Sequence, residues 1–279
     1  MNKYHEFGPI VRDSLLSKRS IWLFDPEDIA FVFRSESQQP IRGGLDSFRL
    51  YRNIRRDIYG DEGLLAANNS NWHRFRSIAQ PYLMRKNYFK QYFNGINYIA
   101  EKITDKIGQL NFHNENDDIL MLAYKWALDS IGMAMFNFDF NCINCDKSED
   151  NQLIGLVSDI LEYGYKIDFQ LFPIWRVLNR PFGLRWHRYI EANDKFTGIC
   201  MKHIDRAIQL YQSSNKKHNE MDLNELDKPY TNCLVSKLLS TGQFSKKDIS
   251  SLMLELVMAG IDSTAHHFIF TCYMLVYFI

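Results

Sequence analysis

Two short stretches of this 279-residue sequence carry side chains whose types and spacing could do chemistry. The first is "AGIDST", residues 259–264, which sets an aspartate and two hydroxyls inside an otherwise apolar run. A carboxyl beside an alcohol can hold and pass protons to a reacting group. Ala259 and Gly260 remove side-chain bulk just before them, so a flat ligand could approach the backbone there. Ser263 and Thr264 can each bond back to the carbonyl four residues earlier, which loosens a helix locally. The competing reading is a tight helix–helix contact through small residues. The second stretch is "NNSNWHRFRSIAQPYLM", residues 68–84. Trp72 and Arg76 are four apart and project from one helical face. An indole N–H and a guanidinium on one face make a donor pair suited to a carboxylate or phosphate. Here the competing reading has Trp72 packed in a core and Arg76 as a solvated charge.

Such groups work only if rigid elements hold them. Apolar periodicity predicts helices near 47–58, 71–84, 87–110, 118–136, 152–168, 185–212 and 246–277. "SIWLF" (20–24) reads as a short strand that runs into a helix ending near Arg34. That helix has Asp25 as N-cap, Pro26 as first helical residue and Asp28 in the third position. "QQPIRGG" (38–44) reads as a turn or edge segment. At the last helix, Ser245 can cap and Asp248 sits three residues on, an approximate capping box. That helix would hold about 34 residues and span roughly 50 Å, enough to cross a whole domain. Leu252, Leu256, Ala259, Ser263 and Phe270 fall on one stripe of it. Two polar loops, 141–151 and 212–232, interrupt the helical pattern. The expected architecture is one mainly α domain with a small β region at its N-terminal end.

Bulk properties narrow the function classes. With 46% hydrophobic and 14% aromatic residues, the chain can build a sizeable core. Thirty-three basic and 33 acidic side chains cancel, so nothing argues for nucleic acid as a partner. Cys142, Cys145, Cys200, Cys233 and Cys272 are odd in number and scattered, unlike a secreted disulfide framework. Cys142 and Cys145 form a lone C-x-x-C without the second pair that a zinc ribbon needs. His266 and His267 are adjacent, diverge by about 100° on a helix and cannot chelate from one face. The first residues have no apolar signal core and are not a long Arg-rich, acid-poor presequence. No run of about 18 uninterrupted apolar residues occurs. Residues 252–279 come nearest, broken by Glu255, Asp262, His266 and His267. Segments near 45–66 and 152–184, with Phe169, Phe172 and Trp175, are expected to line a pocket for a hydrophobic substrate.

Taken together and in order, the two motifs resemble those of the cytochrome P-450 family, the haem-thiolate monooxygenases. "WHRFR" is similar to that family's W-x-x-x-R, which implies that Trp72 and Arg76 bind a haem propionate. "AGIDST" is similar to its A/G-G-x-D/E-T motif on the long helix crossing the distal haem face. The resemblance implies that Ala259 and Gly260 adjoin the haem, with Gly260 as the kink residue. It makes Asp262 the acid, Ser263 the alcohol that assists proton delivery, and Thr264 a second hydroxyl. The family usually has Thr where Ser263 stands; without the methyl, the hydroxyl's rotamer is less fixed. "GPIVRD", "IWLFDPEDIAFVFRSE", "QQPIR" and "GLLAANNSNWHRFRSIAQPYLM" resemble the mitochondrial-type branch. That branch implies a ferredoxin-type electron donor, sterol-like or xenobiotic substrates, and the matrix side of the mitochondrial inner membrane.

The sequence also departs from the family. It contains no E-x-x-R and no F-x-x-G-x-R-x-C-x-G loop, and none of the five cysteines has the context of an axial iron ligand. It is therefore expected to be the N-terminal part of such an enzyme, ending after the distal helix and inactive alone. The alternative is a non-catalytic helical binding or interaction protein derived from the front of that fold.

Overall fold

A computed structural model describes residues 2–15, 18–41, 43–110, 118–169, 183–218 and 233–278. A short helix α1 (Asn2–Phe7) precedes strands β1 (Ile10–Leu15) and β2 (Lys18–Leu23), which pair antiparallel from Ile10 opposite Leu23 to Leu15 opposite Lys18. The β2 segment agrees with the strand expected at 20–24; its partner β1 was not expected. Helix α2 (Pro26–Ser35) starts as the sequence predicts, with the Asp25 carboxylate accepting Glu27 N–H at 2.8 Å. Then follow α3 (Asp46–Ile54), the single turn α4 (Gly63–Ala66), α5 (Asn69–Met84) and α6 (Lys86–Gly108). The chain continues through α7 (Ile119–Phe136), α8 (Gln152–Asp168), α9 (Leu184–His218), α10 (Leu234–Ser240) and α11 (Lys246–Phe278).

The long helices fall within a few residues of the expected spans. Two differences have local causes. The helix expected over 47–58 stops at Ile54, because residues 55–62 turn away to carry α4. The polar segment expected from 212 begins later, because α9 continues to His218; residues 219–232 lie outside the described residues.

The core lies where α11 packs along α7 and touches α4, α8, α9 and α10, while α8 pairs with α9. Ile249, Leu252, Val257 and Ile261 on α11 are fully buried, as are Leu128, Leu153, Ile204, Leu234 and Leu238 from the surrounding helices. Among the described residues, α7 is the helix long and apolar enough to cross a membrane, rather than 252–279. Half of that stretch is buried within the fold, against α6 and α11. Its Asp129 is also buried, and accepts the Cys142 and Ile143 N–H groups at 2.9 and 3.1 Å. A helix with those contacts serves as a core helix of this domain.

Candidate functional site

The site is built on α11, and its buried half is fixed first. Asp248 N–H donates to Ser245 Oγ at 3.1 Å, and Ser245 N–H donates to Asp248 Oδ2 at 3.0 Å. This reciprocal capping is what the sequence predicts. Arg74 Nη2 of α5 adds a 2.9 Å bond to Asp248 Oδ1. Burial pushes the Asp248 carboxyl up, but the bonds from Arg74 and Ser245 outweigh it and hold the group below the usual carboxylate range.

Two turns on, Glu255 meets Arg52 of α3. The two side chains are 2% and 3% exposed, with Arg52 Nη1 2.7 Å from Glu255 Oε1. The carboxylate also accepts Leu64 N–H at 2.8 Å and Leu65 N–H at 3.1 Å, so it satisfies the first turn of α4. The guanidinium lies between the Phe48 and Tyr59 rings, 4.3 and 4.8 Å from their centroids, and donates to Glu62 O. Gly63 leaves the space: its φ is +73°, and a Cβ there would fall 1.9 Å from Arg52 Nη1. Burial pushes the Glu255 carboxyl up despite Arg52 and the two N–H donors. Sequence reading treated Glu255 only as a break in an apolar run and did not single out Arg52 or Gly63. The available signal was the charge itself, since a carboxylate within "LMLELVM" needs a partner.

The sequence-predicted cluster follows on the same helix. Ser263 Oγ donates to Ala259 O at 2.7 Å, the back-bond expected of a hydroxyl there. Ala259, Ser263 and Phe270 are exposed, on the side turned away from α7, whereas Ala265 and Phe268 pack against α7 and the exposed His266 lies at its edge. Gly260 is a packing residue: a Cβ on it would fall 2.8 Å from Ile131 Cδ1 of α7. Asp262 is half-buried and accepts a 3.3 Å bond from Tyr124 OH, with His266 Nδ1 3.4 Å from the same oxygen. His266 also lies edge-on to Tyr124. Thr264 is half-buried. Gly260 makes the tight helix contact of the competing reading, and Ala259 and Ser263 stand exposed beside it.

On α5 the two arginines part. Arg74 turns to α11, while the guanidinium of Arg76 makes one hydrogen bond among the described residues, from Nε to Gln80 Oε1 at 3.2 Å. Trp72 is half-buried. The two motifs thus stand on separate helices, linked by Arg74–Asp248 and by α4, which packs on both.

Other candidates separate. Asp129 draws Cys142 inward while Cys145 is exposed, so the C-x-x-C does not present paired thiols. Burial pushes the thiols of Cys142, Cys200 and Cys233 up, away from thiolate. Near 45–66 the structure holds a cavity of about 340 Å³ lined by Arg52, Asn53, Arg56, Tyr59, Gly60, Asp61 and Glu62, more polar than the apolar wall expected there. Phe169 is exposed and stacks on Tyr165; Phe172 and Trp175 lie outside the described residues.

A mainly helical fold with a small N-terminal sheet, a long helix bearing an acid–alcohol notch and a Trp–Arg helix beside it define a narrow class. The cytochrome P-450 family profile matches residues 1–277, and the chain belongs to that family. It is 28% identical over 278 residues to cytochrome P-450 12b1, mitochondrial, of Drosophila acanthoptera, covering 96% of this chain and 48% of that protein. It is 25% identical to cytochrome P-450 CYP12A2 of Musca domestica, covering 94% and 48% of the two chains. Identity is also 25% to probable cytochrome P-450 301a1, mitochondrial, of Drosophila melanogaster, covering 93% and 46%. The chain spans about half the length of the curated relatives it matches, and it is of the mitochondrial type.

The family implies haem, and the donor chemistry fits that group in part. Arg76 keeps N–H donors on a half-buried guanidinium, which suits a propionate, and Ala259 and Ser263 are exposed on α11, with no large side chain of their own to hold a ring edge off. The buried thiols do not fit an axial thiolate.

Proposed function

We propose that this chain supplies the distal side of a haem-dependent monooxygenase acting on a hydrophobic, sterol-like substrate. Haem, when bound, supplies the iron chemistry that inserts one oxygen atom from dioxygen into the substrate. The chain's own residues then have distinct tasks. Trp72 and Arg76 hold a propionate by hydrogen bonds to its carboxylate. Ala259 admits the ring edge. Ser263 and Thr264 offer hydroxyls that relay a proton, and Asp262, oriented by Tyr124, receives and returns it. Gly260 keeps α11 close to α7, which fixes the height of that relay. Electrons come from a ferredoxin-type donor, on the matrix side of the mitochondrial inner membrane. Catalysis needs residues beyond those in this chain, because the E-x-x-R and the cysteine loop are absent from its sequence.

The observation that carries this reading is the division on α11: a buried half bonded to α3, α4 and α5, and an exposed strip bearing Ser263 beyond it. Haemin titration of the chain, followed at the Soret band, tests it. Arg76→Ala should weaken haemin binding on the order of tenfold or more, the scale of a lost bond to a charged group. Arg74→Ala should lower the melting temperature through Asp248 and leave haemin binding within about twofold. Equal loss of haemin in both variants overturns the propionate assignment. The reduced, haemin-loaded chain with carbon monoxide should lack the band of a thiolate-ligated haem; its presence would mean that one of the five cysteines is the axial ligand. A second reading, a helical interaction protein, is favoured by the exposed Phe270, Tyr273, Val276, Tyr277 and Phe278. It stands if the folded chain takes up no haemin.

A further inference from the structure

The buried Arg52–Glu255 pair does more than close a gap in the core. Glu255 lies on α11, eight residues before Ser263, or about 12 Å along the helix axis. Its two oxygens hold the backbone of Leu64 and Leu65, so α4 is fixed to α11 through its first N–H groups. The far end of α4 is held as well, with Arg49 Nε bonded to Ala66 O at 2.9 Å. Ala66 and Ala67 are fully buried, which leaves no slack before α5 begins at Asn69, three residues ahead of Trp72. Arg52 completes the assembly by bonding Glu62 O on the other side of Gly63. The absence of a side chain at Gly63 is required, since any Cβ would displace the guanidinium or the carboxylate.

We propose that the Arg52–Glu255 pair positions α4, and through it the start of α5 that bears Trp72 and Arg76, at a fixed height along α11 relative to Ser263. This inference rests on the proposed function only for what those residues hold; the positioning itself concerns the chain alone. Glu255 and Arg52 are positioning residues and touch no reacting group.

A purely structural pair would affect stability everywhere alike. A positioning pair has a local signature, and replacing both partners separates the two. Buried ion pairs replaced by apolar side chains of similar volume commonly leave stability unchanged, whereas loss of one partner strands a charge. Arg52→Met with Glu255→Met should therefore melt above either single Met variant, since no charge is stranded. It still removes both acceptors for the Leu64 and Leu65 N–H groups. Amide hydrogen exchange, followed by mass spectrometry on the full chain, should show peptides covering 60–76 exchanging on the order of a hundredfold faster. Peptides from α7, α8 and α9 should keep parental rates. Gly63→Ala, which leaves both charges in place but wedges a methyl between them, should accelerate the same peptides.

The inference is overturned if residues 60–76 keep parental protection in the double-Met variant, or if exchange accelerates uniformly along the chain. If the double-Met variant does not fold, Gly63→Ala decides by the same two criteria. Haemin titration of Arg76→Ala beside these variants distinguishes the two proposals. Local exchange with unchanged haemin affinity in Arg76→Ala removes the propionate role and leaves the positioning pair standing. Unchanged exchange removes the positioning pair whatever haemin does.

Discussion

The two halves of α11 follow one helical path but live in different surroundings. From Ile249 to Met258 almost every residue is buried, the one polar charge there is paired, and the first turn is capped from both directions. From Ala259 onward one side packs on α7 through Ala265 and Phe268, while Ser263, Phe270, Tyr273 and Val276 face out. The first half has the pattern of a core helix. The second keeps apolar side chains on its open side, a pattern that marks a face made for contact rather than for water. The boundary between the two is the acid–alcohol notch. A proton relay placed at that boundary has a rigid base on one side and accessible space on the other.

The largest test of this contrast compares a core residue with one on the open face. Leu252 is fully buried and Phe270 is 60% exposed. Leu252→Ala should cost about 2–5 kcal/mol, the sum of lost transfer energy and a cavity. Phe270→Ala should stay within about 0.5 kcal/mol, as exposed substitutions do. Urea midpoints measure both. A loss at Phe270 comparable with that at Leu252 would mean that the open face is covered in solution.

The same contrast explains what the sequence made legible. Long elements with a clean apolar period, such as α6 and α8, and termini with local caps, such as Asp25 and the Ser245–Asp248 pair, depend on residues within four positions of each other. They can be read directly. Strand β1, the single turn α4 and α10 are short, and α4 is completed by Glu255 from 190 residues away. No local rule marks such a partner. Asp262 and Ser263 stood out because they interrupt an apolar run, and Trp72 with Arg76 because they stand four apart on one helical face. Glu255 interrupts an apolar run equally, yet a lone acid has no motif to announce its role, and the partner that gives it one appears only in three dimensions. Gly260 shows the reverse: its type fitted a ligand notch, and the fold assigns its bare face to Ile131.

A smaller effect is expected from pH at the start of the buried half. Asp248 has a depressed folded pKa, so its contribution is present above the unfolded carboxylate value and is lost as pH falls through the folded one. Glu255 has the opposite sign. Its raised folded pKa means that stability falls as pH rises from the unfolded value through the folded one. Asp248→Asn should therefore be less stable than the parent at pH 6 by on the order of 1 kcal/mol, and the gap should narrow as pH falls to 3. Urea unfolding at the two pH values measures it. A gap that persists unchanged at pH 3 would show that the carboxylate's charge is not what Arg74 and Ser245 hold.

The smallest effect on stability, and the most informative on function, is expected at Ser263. Its hydroxyl is exposed and bonded to Ala259 O, so Ser263→Ala removes one satisfied local bond and little volume. The melting temperature should stay within about 2 °C of the parent, in keeping with surface substitutions. The back-bond to Ala259 also means that the hydroxyl proton is engaged with the helix itself, and proton relay requires it to rotate away. Thr264, half-buried beside it, can supply a second hydroxyl, so the single variant should lose only part of the relay. Ser263→Ala with Thr264→Val removes both. In a form of this protein that turns over, product and peroxide measured against reductant consumed should then shift stepwise toward peroxide, first in the single variant and further in the double. If the double variant keeps the parent's ratio, the hydroxyls on the open strip carry no proton, and the notch between the two halves of α11 is a packing device that serves the Gly260–Ile131 contact alone.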